Sequence, residues 1–276
     1  MSRVMTLDLA LRVEEAEIKT LRSRLTAIRE RQGNPMGVEI RRIGGASLFT
    51  IKGIPGPSFN KVLGATGSDV DHVDEIIQAF RKQGIPCRFE LIPGHVTPEL
   101  FGRLADRGFY QAGFHTVLYG VLPKEQGGAP VEGLTLAEKI EVFEVNEDEF
   151  GLFGELYVKG FGLPALLSTG IADNNRVLHG RPGWKFYIAF VDGQAAGIGV
   201  LYMEDGVGNL AAACTVPEMR RKGCHMALIQ RRIADARKGG CDLIIGQAVF
   251  GSVSQQNMQR IGMQIAYTKS IWVERP

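Results

Sequence analysis

The residues best suited to chemistry lie in one turn between an apolar segment and an amphipathic helix. The turn contains Pro217, three consecutive basic residues at 220–222, and Gly223. The first N–H groups of a helix lack internal partners and attract negative charge, and a glycine lets the backbone approach a ligand closely. The stretch therefore predicts a diphosphate-binding site; a basic helix start exposed to solvent is the simpler alternative.

The elements that position this turn are readable on either side of it. Small and apolar residues at 210–214 indicate a strand before the turn. Apolar residues at helical spacing indicate a helix after it: Met226, Ile229, Ile233 and Ala236. A strand, a glycine-containing basic turn and a helix N-terminus form the local arrangement that an anion site needs.

This stretch resembles the signature of the GNAT acyltransferase superfamily: a strand, a proline, (Arg/Gln)-x-x-Gly-x-(Gly/Ala) and a helix. Pro217, Arg220 and Gly223 match, whereas His225 replaces the usual small residue. The resemblance implies that the loop binds acetyl-coenzyme A, the acyl donor. The expected coenzyme contacts are Ala213, Cys214, Thr215, Arg220, Arg221, Lys222, Gly223, Cys224, His225, Met226 and Asn257. The first three are expected to pair with the pantetheine arm as a neighbouring strand would.

A second segment, 251–263, resembles the later helix of the superfamily. That helix ends in Gly-Phe, and the corresponding residues here are Gly262-Met263. Ser252 and Gln255 have capping-box spacing. Ser254 and Asn257 are three residues apart and share a helix face. Two motifs at the expected separation strengthen the resemblance.

Proton transfer is the less defined part of the predicted chemistry. Many superfamily members carry a tyrosine where this sequence has Met258, and a thioether cannot donate a proton. The remaining candidates for the catalytic acid are Ser254 and Tyr267. The strand at 208–215 contains no acid, and Glu204 and Asp205 are expected in a hairpin turn. We expect direct acetyl transfer, either without a dedicated base or through a water relay.

The order of predicted elements over 134–276 is β-αα-βββ-α-β-α-β, a mixed α/β sheet that matches the GNAT fold. Before it, 123–133 contains two prolines and three glycines and is predicted to be a linker. Residues 1–35 are predicted to form an N-terminal helix. Its apolar residues recur at nearly heptad spacing, so a homodimer contact through this helix remains an alternative to packing on its own chain.

Residues 36–122 are predicted to form a degenerate GNAT-like domain, with the similarity over 38–121. The helix ending at 104–109 has the same Gly-Phe termination. The segment 64–69 lies at the position of the phosphate loop, but it lacks a basic residue and ends in Asp69. We therefore expect one coenzyme site in the chain.

Composition limits the function further. The 276 residues are 45% hydrophobic and 22% charged, with a net charge of +2, which does not indicate nucleic-acid binding. The four cysteines and five histidines form no metal-ligand pattern. We therefore expect no metal. No apolar run reaches membrane-spanning length, so we expect no membrane partner and a cytoplasmic location.

The sequence thus predicts an acetyl-coenzyme A-dependent N-acetyltransferase with a small-molecule amine acceptor. Protein acetylation remains open within this prediction. The alternative is a non-catalytic coenzyme A-binding sensor or regulatory protein, which the missing tyrosine and His225 favour. A nucleic-acid binder using 220–222 and 231–232 is a third and less favoured interpretation.

Overall fold

The computed structural model describes residues 4–123 and 140–275, which form two compact units. The N-terminal unit comprises Val4–Val117, Ala248–Phe250 and the segment from Ile265 onward. The C-terminal unit runs from Leu118 to Gln264, apart from Ala248–Phe250. Each unit is therefore built from separate parts of the chain.

The N-terminal unit contains three helices and most of six strands. The helices are α1 (Leu7–Arg29), α2 (Val73–Gln83) and α3 (Pro98–Asp106). The strands are β1 (Val38–Ile43), β2 (Ala46–Ile51), β3 (Lys61–Leu63), β4 (Arg88–Leu91), β5 (Phe109–Val121) and β11 (Gln264–Glu274). Their order across the sheet is β1-β2-β3-β4-β11-β5, and α1 packs on β1 and β2.

The described residues of the C-terminal unit form four α-helices, four complete strands and all of a fifth strand except its last residue. The helices are α4 (Phe150–Phe161), α5 (Ser168–Arg176), α6 (Cys224–Lys238) and α7 (Val253–Arg260). The strands are β6 (Ile140–Glu144), β7 (Trp184–Val191), β8 (Gln194–Glu204), β9 (Val207–Thr215) and β10 (Leu243–Ala248). Their order is β10-β9-β8-β7-β6, and the end of β5 borders β10.

The C-terminal sheet is antiparallel from β6 to β9 and parallel between β9 and β10. Two tight turns make the antiparallel hairpins. Asp192-Gly193 and Asp205-Gly206 both have positive φ at both residues, 48° and 77° in the first and 48° and 75° in the second. Asp-Gly is favoured in such turns because it tolerates this backbone region. The hairpin turn that the sequence predicts at Asp205 is confirmed.

The predicted α/β mixed-sheet fold is confirmed. The last strand of the predicted element order is present as β11, and the structure groups it with the N-terminal unit. The predicted linker lies outside the described residues beyond Pro123, and the domain boundaries stay a prediction. None of the described helices combines the length and apolar character needed to cross a membrane.

Candidate functional site

Strands β9 and β10 separate partway along their length. Their parallel pairing runs from Val207 opposite Leu243 to Leu210 opposite Gly246, whereas β9 continues to Thr215. Ala212–Thr215 remain paired with β8 on the other side. Ala211 is exposed and Ala213 half-buried, as expected of a strand with one open edge. This edge offers backbone hydrogen-bonding groups to an extended ligand.

The open edge leads directly to the N-terminus of α6. Gly223 immediately precedes the helix with φ of 92°, and Arg221 also has positive φ, at 66°. No side chain caps this end. The first N–H groups of the helix, from Cys224 to Met226, therefore keep the binding capacity that helix geometry leaves them. The predicted basic turn and helix start are present in this arrangement.

Arg220 stabilises the loop from the protein side. Its Nε donates to the carbonyl of Thr215 at 3.3 Å, and its Nη2 donates to the carbonyl of Gly160 at 3.2 Å. The guanidinium thus connects the end of β9 with the end of α4. Arg221 is exposed and Lys222 is half-buried beside it. These bonds lie within the protein, and the coenzyme contact predicted for Arg220 stays a prediction.

His225 lies in the first turn of α6 and is hydrogen-bonded to Asn257 of α7, with 3.0 Å between Nδ1 and Nδ2. Arg260 donates to Oδ1 of the same amide at 2.6 Å, which leaves Nδ2 as the donor to the imidazole. Burial lowers the pKa of His225 to about 4. The ring is therefore neutral near pH 7 and carries its proton on Nε2.

Cys214 and Cys224 are buried and have the properties of packing residues. The Cys214 thiol faces the carbonyl of Leu156 in α4 at 3.6 Å. Burial raises the pKa of Cys214 to about 12 and also raises the pKa of Cys224. Both groups remain thiols at neutral pH, and a thiol is a much weaker nucleophile than a thiolate.

Helix α7 begins as its sequence predicts. The Ser252 side chain accepts a hydrogen bond from the N–H of Gln255 at 3.2 Å, as a capping residue does. Ser254 is half-buried in the first turn, and Met258 is buried near Gly246 of β10. Of the two acid candidates, Ser254 lies in the unit that contains the basic loop.

Tyr267 lies in the N-terminal unit, on β11. Its hydroxyl is buried without a hydrogen-bond partner among the described residues. Burial and the nearby carboxylates of Glu17 and Glu14 raise the pKa of Tyr267. The two acid candidates, Tyr267 and Ser254, therefore belong to different units.

A buried charged cluster accompanies Tyr267 in the N-terminal unit. Lys269, also on β11, donates to Glu17 at 2.6 Å and to Glu90 at 2.7 Å, and Lys61 pairs with Glu90 at 2.9 Å. Glu14 accepts from the N–H of Gly64. Burial, followed by the charge of Glu17, raises the pKa of Glu14 to about 7.

In the segment 64–69, which the sequence places at the position of the phosphate loop, Asp69 bonds to nearby backbone N–H groups. Asp69 is buried, and its carboxylate accepts from the N–H groups of Gly45 and Thr66 at 2.7 and 2.8 Å. These amides are therefore already bonded to an anionic group. This arrangement agrees with our expectation of a single coenzyme site, which stays a prediction.

Sequence reasoning missed Arg232, which is 1% exposed. Its guanidinium donates to the carbonyls of Leu228, Val200 and Ala212, at 2.9, 3.3 and 3.1 Å. It therefore supports β8 and β9 where the open edge begins. Its position among apolar residues of α6, beside Leu228 and Ile229, was the available signal. Arg232 is buried, and Arg231 bonds to Asp235 and to the carbonyl of Val142, so both are engaged within the protein. The expectation that the protein binds no nucleic acid stays a prediction.

No family model matches the sequence, and no curated protein matches it. Solved structures do resemble it. A GCN5-related N-acetyltransferase from Kribbella flavida superposes with a TM-score of 0.66 at 13% identity, covering 99% of this chain and 97% of the other. A GCN5-related N-acetyltransferase from Sphaerobacter thermophilus superposes with a TM-score of 0.58 at 13% identity, covering 91% of this chain and 85% of the other.

A tandem GNAT protein from the clavulanic acid biosynthesis pathway gives a TM-score of 0.57 at 13% identity, covering 95% of each chain. The similarity in all three extends over both units of the present chain. The GNAT resemblance seen in the sequence is thus confirmed in three dimensions, and the chain has the fold of the GCN5-related N-acetyltransferases.

Proposed function

We propose that this protein is an acetyl-coenzyme A-dependent N-acetyltransferase that acetylates the amine of a small molecule. The observation that carries the proposal is the open edge of β9 leading into the uncapped N-terminus of α6. An extended thioester arm can bond to the edge while its diphosphate lies at the helix start. Two of the solved structures with this fold are described as GCN5-related N-acetyltransferases, which supports the same activity.

The residues have separate roles in this proposal. Backbone groups of Ala213–Thr215 hold the pantetheine arm, and a strand N–H polarises the thioester carbonyl. The N–H groups from Gly223 to Met226 bind the diphosphate, and the positive charges of Arg221 and Lys222 attract it. Arg220 and Arg232 keep the strand end and the loop in place.

The reaction needs no covalent enzyme intermediate. The amine nitrogen attacks the thioester carbonyl, the carbon–sulfur bond breaks, the amine loses a proton and the thiolate gains one. Ser254 is the candidate proton donor in the C-terminal unit because it lies half-buried in the first turn of α7. Cys214 and Cys224 are protonated and buried, which argues against a nucleophilic role for either.

A coenzyme A-binding sensor is the second candidate, because Met258 stands where many superfamily members have their proton-donating tyrosine. Its thioether is buried against the sheet and offers no proton. A sensor would bind the coenzyme with the same loop and edge. It would release no coenzyme A thiol when amines are added, so turnover separates the two candidates.

The test is calorimetric titration with acetyl-coenzyme A of the wild type, Gly223→Asp and Gly240→Asp. Gly240 is the matched control because its φ of 77° is also positive and no atom crowds it. Both variants strain a left-handed glycine position. Only Gly223→Asp places a carboxylate at the proposed diphosphate site, so only it should lose binding. Equal affinity of folded Gly223→Asp and wild type would refute the site.

A further inference from the structure

The connection between α4 and α5 exposes an uncharged apolar surface. Leu166 is 83% exposed, and Phe161, Leu163 and Leu167 are also exposed. No charged residue occurs between Lys159 and Asp173. Clustered exposed apolar side chains of this kind mark interaction surfaces, whereas isolated ones are common. We call residues 161–167 the apolar rim.

The apolar rim begins beside the open end of β9. Gly160 packs so closely on Cys214 that an added Cβ would overlap the thiol. Arg220 bonds to the carbonyl of Gly160 and to that of Thr215. The end of α4 is therefore held against the strand end at which the proposed thioester is held. A molecule that attacks this thioester must place its remaining atoms close by.

Aromatic side chains continue the rim along α4. The ring of Phe161 lies 4.5 Å from that of Tyr157, which lies 6.3 Å from that of Phe153. Phe153 is fully buried and Phe161 is 45% exposed. The three rings thus run from the core to the surface, so the rim is continuous with the aromatic packing of α4.

The segment that carries the rim supplies no carboxylate for a ligand with several positive charges. Asp173, the first acid after the rim, already pairs with Arg176 at 2.7 Å. A polyamine or an amino sugar needs carboxylates for its other ammonium groups, because burying an unpaired charge is costly. Nothing in the sequence from Gly160 to Ala172 supplies one.

We propose that the acceptor is a primary amine attached to a single apolar chain or ring, which binds along the apolar rim. This inference rests on the proposed acetyltransferase function and specifies its substrate class. The amine approaches the thioester at the end of β9, and its apolar part covers Leu166 and Leu167. Transfer of each methylene from water to this surface strengthens binding.

The experiment measures coenzyme A thiol release from acetyl-coenzyme A with propylamine, butylamine, pentylamine, hexylamine and spermidine. We expect kcat/KM to rise about three- to fourfold for each added methylene and spermidine to be the poorest acceptor. Leu166→Ser should flatten this dependence, and its exposure makes misfolding a poor explanation. Leu7→Ser, at a half-exposed leucine of α1, is the matched control and should keep the wild-type dependence.

Three results would overturn the inference, and they differ from one another. Thiol release that favours spermidine, or that ignores chain length, rejects the acceptor class but leaves the coenzyme site intact. Calorimetric binding of acetyl-coenzyme A without thiol release from any amine rejects transfer altogether. A dimer that Leu166→Ser dissociates in sedimentation, with unchanged amine preference, identifies the rim as a contact between two copies of the chain.

Discussion

His225 and Asn257 join the first turn of α6 to α7 through a hydrogen bond of 3.0 Å. Because α6 follows β9 and α7 follows β10 in the chain, this bond connects the two helices that come after the separating strands. The sequence indicated both residues as separate coenzyme contacts. In the structure they contact each other, and Arg260 fixes the orientation of the amide.

Asn257→Asp should raise the pKa of His225 above its value of about 4 by at least ~1 unit. The new carboxylate would stabilise the protonated ring, which burial disfavours in the wild type. NMR titration of the His225 ring protons measures the change. Asn257→Ala removes the contact without adding charge and should leave the pKa low; equal titration of the two variants would contradict the pairing.

Arg232→Met should destabilise the C-terminal unit. The substitution leaves the carbonyls of Val200 and Ala212 without their donor, and each unsatisfied buried group costs roughly 1–3 kcal/mol. Urea unfolding should therefore show a loss of at least about 2 kcal/mol. Arg237→Met, at an exposed position of the same helix, is the control. A similar loss in both variants would show that the buried contacts have no special role.

Glu14→Gln should change how stability depends on pH. The folded state raises the pKa of Glu14 from 4.5 to about 7, so between these values the folded chain keeps a proton that the unfolded chain loses. The contribution of Glu14 to the free energy of unfolding is fully present below pH 4.5 and is lost as the pH rises to 7. This loss lowers the free energy of unfolding by about 3 kcal/mol.

The Gln variant should therefore gain stability relative to wild type from pH 4.5 to 7, with the difference constant above pH 8. Urea unfolding of both proteins at several pH values measures this difference. Glu15→Gln, an exposed neighbour on α1, controls for the loss of one carboxylate. A difference that does not vary with pH would rule out the burial effect.

The cysteines should be unreactive in the folded protein. All four are buried and form no disulfide, and burial raises the pKa values of Cys87, Cys214 and Cys224. Ellman's reagent at pH 8 should therefore label none of them in buffer and all four in denaturant. A single fast-reacting thiol in the native protein would reopen covalent catalysis.

The sequence by itself determined the local elements and the position of the candidate loop. The strand before the basic turn, the helix after it, the hairpin turn at Asp205 and the Ser252 cap agree with the patterns that predicted them. These signals are local, because hydrophobic period and turn chemistry act over a few residues.

Only the tertiary structure decided how distant segments combine. The bonding of Arg220 to Gly160 spans 60 residues, and that of His225 to Asn257 spans 32. The burial of Arg232 depends on carbonyls from β8 and β9, and the grouping of Tyr267 with α1 depends on the packing of β11. Such pairings follow from the packing of whole elements, which no local spacing encodes.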